Sequence, residues 1–135
     1  MPVIVITRLR LKDPALFDEF FASAVAAVEQ AQAASGNLGA DVLADAGNTY
    51  WTRTAWQERA AMHGFVGAQP HRSIMSSLDD WCDEATFVHW EQAGAEMPDW
   101  QEGYARLIAD GQVASLSQPS GAHQTRDFPV PVVPS

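Results

Sequence analysis

Hydrophobic positions in this chain switch between a period of two and a period near 3.6, and each switch marks an element. Val3 to Leu11 alternates, β-branched at first, which predicts a strand with Arg8 and Arg10 on one side of the alternation. Asp13-Pro14 is a helix start: a carboxylate at the N-cap and proline at the first helical position. From Pro14 to about Ser35, Leu16, Phe17, Phe20, Phe21, Ala24, Val28 and Ala31 form one broad arc, with Asp18, Glu19, Ser23, Glu29 and Gln30 opposite. This is an amphipathic helix suited to lie on a sheet, and Gly36 ends it.

Leu38 to Ala44 alternates again, more weakly. Asp45-Ala46-Gly47-Asn48 has the chemistry of a hairpin turn and leads into a strand over Thr49–Trp56. One helix follows over Gln57–Val66, burying Ala61, Met62 and Phe65. After the break at Gly67-Ala68-Gln69-Pro70, a second runs over His71–Trp81 with Ile74, Met75, Leu78 and Cys82 on one face. Glu84–Glu91 is the last clear strand, with Phe87 and His89 on one side and Val88 and Trp90 on the other.

The order β-α-β-β-α-(α)-β is that of a ferredoxin-like α+β fold, a four-stranded antiparallel sheet with helices on one face. Residues 1–97 are expected to form this domain. The other sheet face is left bare, and Ile4, Ile6, Trp51 and Phe87, assigned to it, are too apolar for water. A second sheet from an identical subunit, related by a two-fold axis, is expected to cover it, giving a homodimer. Residues 98–111 predict a C-terminal helix, opened by Pro98-Asp99, lined by Trp100, Tyr104 and Leu107, and ended by Gly111. Residues 112–135 are rich in Ser, Gln and Pro and are too proline-broken for a core of their own. Two readings stay open for them: a disordered tail, or an extended arm on the partner subunit that takes Phe128 and its neighbouring valines out of water.

Composition narrows the function classes. An apolar fraction of 47% suffices for a core, yet no run approaches the ~20 apolar residues of a membrane span. No basic-then-apolar opening marks a secretory signal. Seventeen acids against eight bases give a net charge of −9, a field that repels phosphate backbones and sets nucleic-acid partners aside. The single cysteine, Cys82, excludes an internal disulfide, fits a reducing cytoplasm and lies on an apolar helix face as an inert thiol. Alanine richness and the excess of arginine over the lone Lys12 fit a bacterial source. No His/Cys cluster has metal spacing, and no glycine loop is built for phosphates.

The densest chemistry sits in Tyr50-Trp51-Thr52-Arg53-Thr54-Ala55-Trp56. Strand parity collects Ile6, Arg8, Trp51, Arg53, Phe87 and His89 on one face, an apolar, aromatic surface with guanidinium and imidazole groups. Convergent polar groups on apolar walls are the usual mark of a small-molecule site. Val3, Val5, Thr7, Leu9, Thr52, Thr54 and Val88 make the face packed under the helices. Arg53 has two readings: a stabiliser of an enolate or phenolate, or half of an ion pair at the dimer seam with Asp83 or Glu84. His89 is a general-base candidate or an exposed strand-end histidine. His71, on the inward face with Met75, is a base, a haem ligand, or a buried histidine bonded to backbone. Trp51 and Phe87 line the pocket or pack the dimer. A one-residue slip of register would undo this face.

The aromatic strand closing at Trp56, with Glu58, Met62 and Phe65 on the next helix, then His71-Arg72, Met75, Trp81, Phe87 and Trp90-Glu91, resembles the dimeric α/β-barrel superfamily. Within it, the pattern over residues 3 to 91 is similar to antibiotic biosynthesis monooxygenase-like proteins and to relatives of spheroidene monooxygenase. The resemblance implies a dimer forming an α/β barrel and an apolar cavity. It also implies a cofactor-independent monooxygenase, or a related isomerase or cyclase, acting on an aromatic or polyketide-like substrate. Under it Arg53, His89 and His71 are the catalytic candidates, and Ile6, Arg8, Trp51, Phe87 and Met75 the substrate-binding ones. No cofactor is expected. The alternatives are a haem enzyme with His71 as axial ligand, and a non-catalytic dimer that binds a small ligand.

Overall fold

In a computed structural model, residues 1–133 are described, so the last two residues of the expected 112–135 tail lie outside the described residues. The elements are β1 (Val3–Leu11), a 3-10 turn (Pro14–Leu16), α1 (Phe17–Ala33), β2 (Asn37–Asp45), β3 (Thr49–Trp56) and α2 (Arg59–Gly67). Then come α3 (His71–Ser76), α4 (Leu78–Trp81), β4 (Cys82–Glu91), α5 (Trp100–Asp110), β5 (Gln112–Val113) and α6 (Gly121–Thr125). The sheet has the order β2-β3-β1-β4-β5. Its four main strands are antiparallel in the ferredoxin-like arrangement, and β5 adds a fifth strand that the sequence pattern does not predict.

Local chemistry accounts for the boundaries. The Asp13 side chain accepts from the Ala15 N–H at 2.9 Å and opens the 3-10 turn that leads into α1. Gly47 and Asn48, with φ of +69° and +59°, make the β2–β3 turn. The helix expected over His71–Trp81 divides at Ser77, where the Ser76 and Ser77 hydroxyls both donate to the Ser73 carbonyl.

Register places side chains on two faces. Ile4, Ile6 and Arg8 of β1 stand opposite Ala55, Arg53 and Trp51 of β3 and opposite Trp90, Val88 and Thr86 of β4. Val5, Thr7 and Leu9 stand opposite Thr54, Thr52 and Tyr50, and Val5 and Thr7 also opposite His89 and Phe87. Phe87 and His89 therefore lie under the helices, one residue out of the expected parity, and Val88 takes the other face. Both faces of β4 are apolar there, so its alternation carries no sign, and only pairing with β1 decides it.

Neither face is bare. Helices α1 to α4 cover one, packing Leu11, Phe20, Leu78 and Trp81 in one cluster and Val3, Ala31, Trp56, Met62 and Phe65 in another. The other face is covered by the chain's own C-terminal segment. Trp100 and Leu107 of α5 and Phe128 beyond α6 pack on Ile4, Ile6, Leu43, Trp51, Ala55 and Val88. Residues 112–133, for which disorder or an arm on a partner was expected, lie on the sheet of the same chain. β5 pairs with the edge of β4, Thr86 opposite Val113. Buried within this layer, Arg8 Nη1 donates to Glu84 Oε1 at 2.5 Å, and both residues are 2% exposed. Arg10 Nη1 and Ser120 Oγ donate to Glu84 Oε2 at 2.9 and 2.8 Å. Burial raises the affinity of the Glu84 carboxyl for a proton, but the hydrogen bonds from Arg8, Arg10 and Ser120 together outweigh it and hold it below its ordinary value.

Removing one partner of a buried ion pair strands the other charge, at a cost of about 3–5 kcal/mol. Glu84→Leu is therefore expected to lower stability by that order in urea titration. Arg8→Met with Glu84→Leu is expected to cost less than Glu84→Leu alone, because no buried charge then lacks its partner. Because folding depresses the Glu84 carboxyl, its contribution is present above the unfolded value and disappears as pH falls through the folded one.

Candidate functional site

Between the helices and the sheet lies a cavity of about 350 Å³. Its floor consists of Val5, Thr7, Leu9, Thr52, Thr54, Phe87 and His89, and its roof of Phe20, Ala24, Ala27 and Ala31 from α1 with Met62, Phe65, Ile74 and Met75. The space exists because short side chains face each other: threonines from β1 and β3 below, alanines at helical spacing in α1 above. A larger hollow of about 680 Å³ beside Ser35-Gly36 and Gln57–Ala61 is open to solvent, and Glu58 is its one titratable side chain. The helix–sheet cavity, the less open and more apolar of the two, is the better candidate.

Three histidines, His63, His71 and His89, line it. His63 and His89 are solvent-exposed and stand at its margin, whereas His71 is partly buried. His71 is held from three sides. Its backbone N–H donates to Gln30 Oε1 at 2.7 Å, its Nδ1 lies 3.2 Å from the Val66 carbonyl, and its ring packs 4.5 Å from that of Phe65. Gln30 in turn donates to the Phe65 carbonyl at 3.2 Å, tying α1 to the end of α2. A carbonyl only accepts, so that contact assigns the proton to Nδ1 and leaves Nε2 with a free lone pair. Burial, against the smaller opposing effect of the Val66 carbonyl, holds the His71 imidazole below its ordinary pKa. It is a neutral acceptor at pH 7. Thr54 Oγ1 accepts from Trp56 Nε1 at 2.9 Å, so its own proton remains available to donate.

Of the residues singled out from the sequence, His71, His89, Phe87 and Met75 share this cavity. Ile6, Arg8, Trp51 and Arg53 lie across the sheet, beneath the C-terminal segment. Within the chain Arg53 pairs with neither Asp83 nor Glu84, the carboxylates named for an ion pair at a dimer seam. Its Nε and Nη2 donate to Asp41 Oδ2 at 3.1 and 2.7 Å, its Nη1 donates to the Pro98 carbonyl at 2.7 Å, and its guanidinium lies 4.3 Å from the Trp100 ring. Trp51 donates from Nε1 to Asp45 Oδ2 at 2.9 Å. Burial first, then Asp83, pushes the Cys82 thiol up to about 12, so it is no nucleophile at neutral pH.

Thr7, Thr52, Thr54 and Met62 line the cavity, and Gln30 holds the His71 backbone, without being marked by sequence reasoning. That reasoning looks for a pocket where the aromatic residues are largest, and large side chains fill space. The signal for a hollow is the reverse: threonine on a helix-facing strand parity beneath a run of alanine. Haem fits poorly. His71 Nε2 is free to ligate iron, but among the described residues lining the cavity there is no lysine or arginine to meet the propionates. Among the described residues, no group of three His, Cys, Asp or Glu is placed to hold a metal ion.

The fold agrees with comparisons to known proteins. The sequence profile described as antibiotic biosynthesis monooxygenase matches residues 2–77. No curated protein sequence matches the chain. Among solved structures, the chain is similar to Rv0793 from Mycobacterium tuberculosis at 16% identity and TM-score 0.65, over 72% of this chain and 100% of that one. It is similar to a variant of SnoaB, a cofactor-independent oxygenase from Streptomyces nogalater, at 13% identity and TM-score 0.55, over 73% of this chain and 97% of that one. A conserved protein from Methanosarcina mazei Go1 matches at 12% identity and TM-score 0.62, over 69% of this chain and 94% of that one. At such identities these structures speak for the fold. The profile covers more than half of the sequence, and the chain belongs to the antibiotic biosynthesis monooxygenase family.

Proposed function

We propose that this chain is a cofactor-independent monooxygenase acting on a neutral aromatic or polyketide-like substrate in the helix–sheet cavity, with His71 as the general base. The observation that carries the reading is His71 itself: an imidazole whose Nδ1 faces the Val66 carbonyl and whose Nε2 is free, at the wall of a largely apolar cavity. Family membership supports the reaction class, which one structural neighbour, SnoaB, carries in its description.

In this chemistry Nε2 of His71 takes a proton from a phenol or an activated methylene. The resulting anion passes an electron to dioxygen, and the radical pair collapses to a peroxide. Loss of water leaves one oxygen atom on the product as a carbonyl and releases the other as water. The cavity favours the first step by exclusion of water and by neutral donors such as Thr54, rather than by a fixed cation. A neutral base suits a substrate that arrives uncharged, since no lining arginine offsets the burial of a preformed anion. His71 returns its proton to the peroxide oxygen that leaves as water, so the cycle gains and loses no proton, and His89 stands at the cavity margin. In this reading Arg53 and Arg8 serve the architecture. A non-catalytic ligand-binding protein would use the same cavity, and turnover distinguishes the two.

The homodimer is part of this reading, supported by family membership; in the single chain the sheet face opposite the cavity is covered by its own C-terminal segment. Among the described residues no helix is long and apolar enough to cross a membrane. The buried, unpaired thiol of Cys82 suits a reducing cytoplasm.

Aerobic oxidation of an anthrone or a hydroquinone is expected in the full chain, and His71→Asn is expected to lower kcat by about 10²–10⁴-fold, the range of general-base catalysis. The acid limb of the wild-type rate profile should fall below the ordinary imidazole value and vanish in His71→Asn. Arg53→Ala should lower the melting temperature and leave kcat of the folded protein unchanged. A kcat unaffected by His71→Asn would remove the base assignment.

Ala27→Leu adds apolar volume to an empty roof position. It is expected to raise stability by about 0.5–2 kcal/mol, as cavity filling does, and to abolish binding of the same anthrone in fluorescence titration. Undiminished binding would mean that the ligand sits elsewhere.

A further inference from the structure

The floor of the helix–sheet cavity divides into a hydroxyl side and an aromatic side. β1 runs through its middle, with β3 on one flank and β4 on the other. At one level the register places Thr7 of β1 between Thr52 of β3 and Phe87 of β4, and at the next it places Val5 between Thr54 and His89. Alternate residues of a strand share a face, so the two rows lie side by side under the helices. Thr7, Thr52 and Phe87 are each partly buried and line the cavity, whereas the chain neighbours Ile6, Arg8 and Trp51 are buried in the opposite layer.

The two hydroxyls of the first row are uncommitted. Elsewhere, Thr49 donates to the Gly47 carbonyl, Thr125 donates to the Gly121 carbonyl, and Thr54 accepts from Trp56. Among the described residues the Thr7 and Thr52 hydroxyls have no hydrogen-bond partner, and although they are cross-strand partners they do not bond each other. Valine has the same shape and the same fitness for a strand, and would line an apolar floor with no polar group to satisfy. Packing therefore does not account for the hydroxyls. Residues directly opposite in an antiparallel pair have Cβ atoms about 4.5–5.5 Å apart, and an O–H···O bond spans about 2.7–2.8 Å, so both hydroxyls can reach one oxygen between them.

We propose that Thr7 and Thr52 form a two-donor cradle for the one ligand oxygen on which negative charge gathers, with the ligand's ring beside Phe87. The cradle rests on the proposed site and reaction and narrows the substrate class. A planar aryl ketone with an acidic, conjugated methylene would turn its carbonyl oxygen to the sheet and its methylene to His71 in the helical layer above. When His71 takes the proton, the charge moves to the carbonyl oxygen. Hydrogen bonds to a charged acceptor are stronger than those to a neutral one, so the cradle favours the anion over the bound neutral ketone. It does so without a cation, in keeping with a lining that has no lysine or arginine among the described residues.

The test uses the full chain with two probes. 2-Hydroxyanthraquinone is a planar aryl ketone already at the quinone level, and its absorbance reports its ionisation. Thr7→Val and Thr52→Val keep the side-chain shape and remove one hydroxyl each. Each is expected to raise the pH midpoint of the bound dye by about one unit, a tenfold loss of preference for the anion. Thr7→Ser keeps the hydroxyl and is expected to hold the wild-type midpoint. With anthrone as substrate, the two valine variants are expected to lower kcat by about tenfold with little change in KM. Equal midpoints in the wild type and both valine variants, or no binding of the dye to the wild type, would overturn the cradle. Raised midpoints in both variants, with no turnover of anthrone by the wild type, would support the cradle and overturn the reaction.

Discussion

Burial of the sheet on both faces is the constraint from which the rest of the structure follows. A four-stranded sheet with Ile4, Ile6 and Trp51 on one side and Val3, Val5 and Leu9 on the other cannot leave either side in water. Helices α1 to α4 cover one side, and α5 with the segment to Phe128 covers the other. The two layers then divide the work. The C-terminal layer is filled with tryptophan, isoleucine and phenylalanine and locked by the Arg8–Glu84 pair. The helical layer meets threonine with alanine and stays hollow.

This division makes a hollow in the helical layer compatible with a stable domain. Empty volume costs free energy, on the order of 24 cal/mol per Å³ where measured for engineered cavities. A chain of 135 residues tolerates a hollow on one face more readily when the other is densely packed. The ion pairs follow the same logic. Arg8 is tolerated at 2% exposure because Glu84 accepts its hydrogen bond and Phe128 covers its guanidinium. Arg53 anchors the start of α5 to β2 and β3.

Much of the fold was legible from hydrophobic period alone. The strands from Val3, Leu38, Thr49 and Glu84, the turn at Gly47-Asn48, the helix at Pro14 and the C-terminal helix at Trp100 all lie within a few residues of their places in the structure. What was not legible depends on long-range pairing. The side on which Phe87 and His89 stand is set by pairing with Thr7 and Val5, far away in sequence, and β4 is apolar on both sides. The short β5 carries no alternation of its own and exists because β4 offers a free edge. Phe128 signalled that the tail would be buried, but not that it would be buried on its own chain. Helical periodicity put His71 and Met75 on the face that lines the cavity, whereas Arg53 and Trp51, chosen for their chemistry, lie across the sheet from it. Gln30, on a polar helix arc, reaches across to His71, and no local pattern marks such a reach.

The claim on which function depends is that ligand enters the helix–sheet cavity and not the opposite layer, and the four histidines report on this directly. His63, His71 and His89 line the cavity, and His123 is buried in the C-terminal layer. Imidazole resonances of the full chain, followed by NMR during titration with a neutral anthrone, are expected to shift for the first three, most for His71, with His123 unmoved. Movement of His123 alone, or an unperturbed His71 at saturation, would contradict the account.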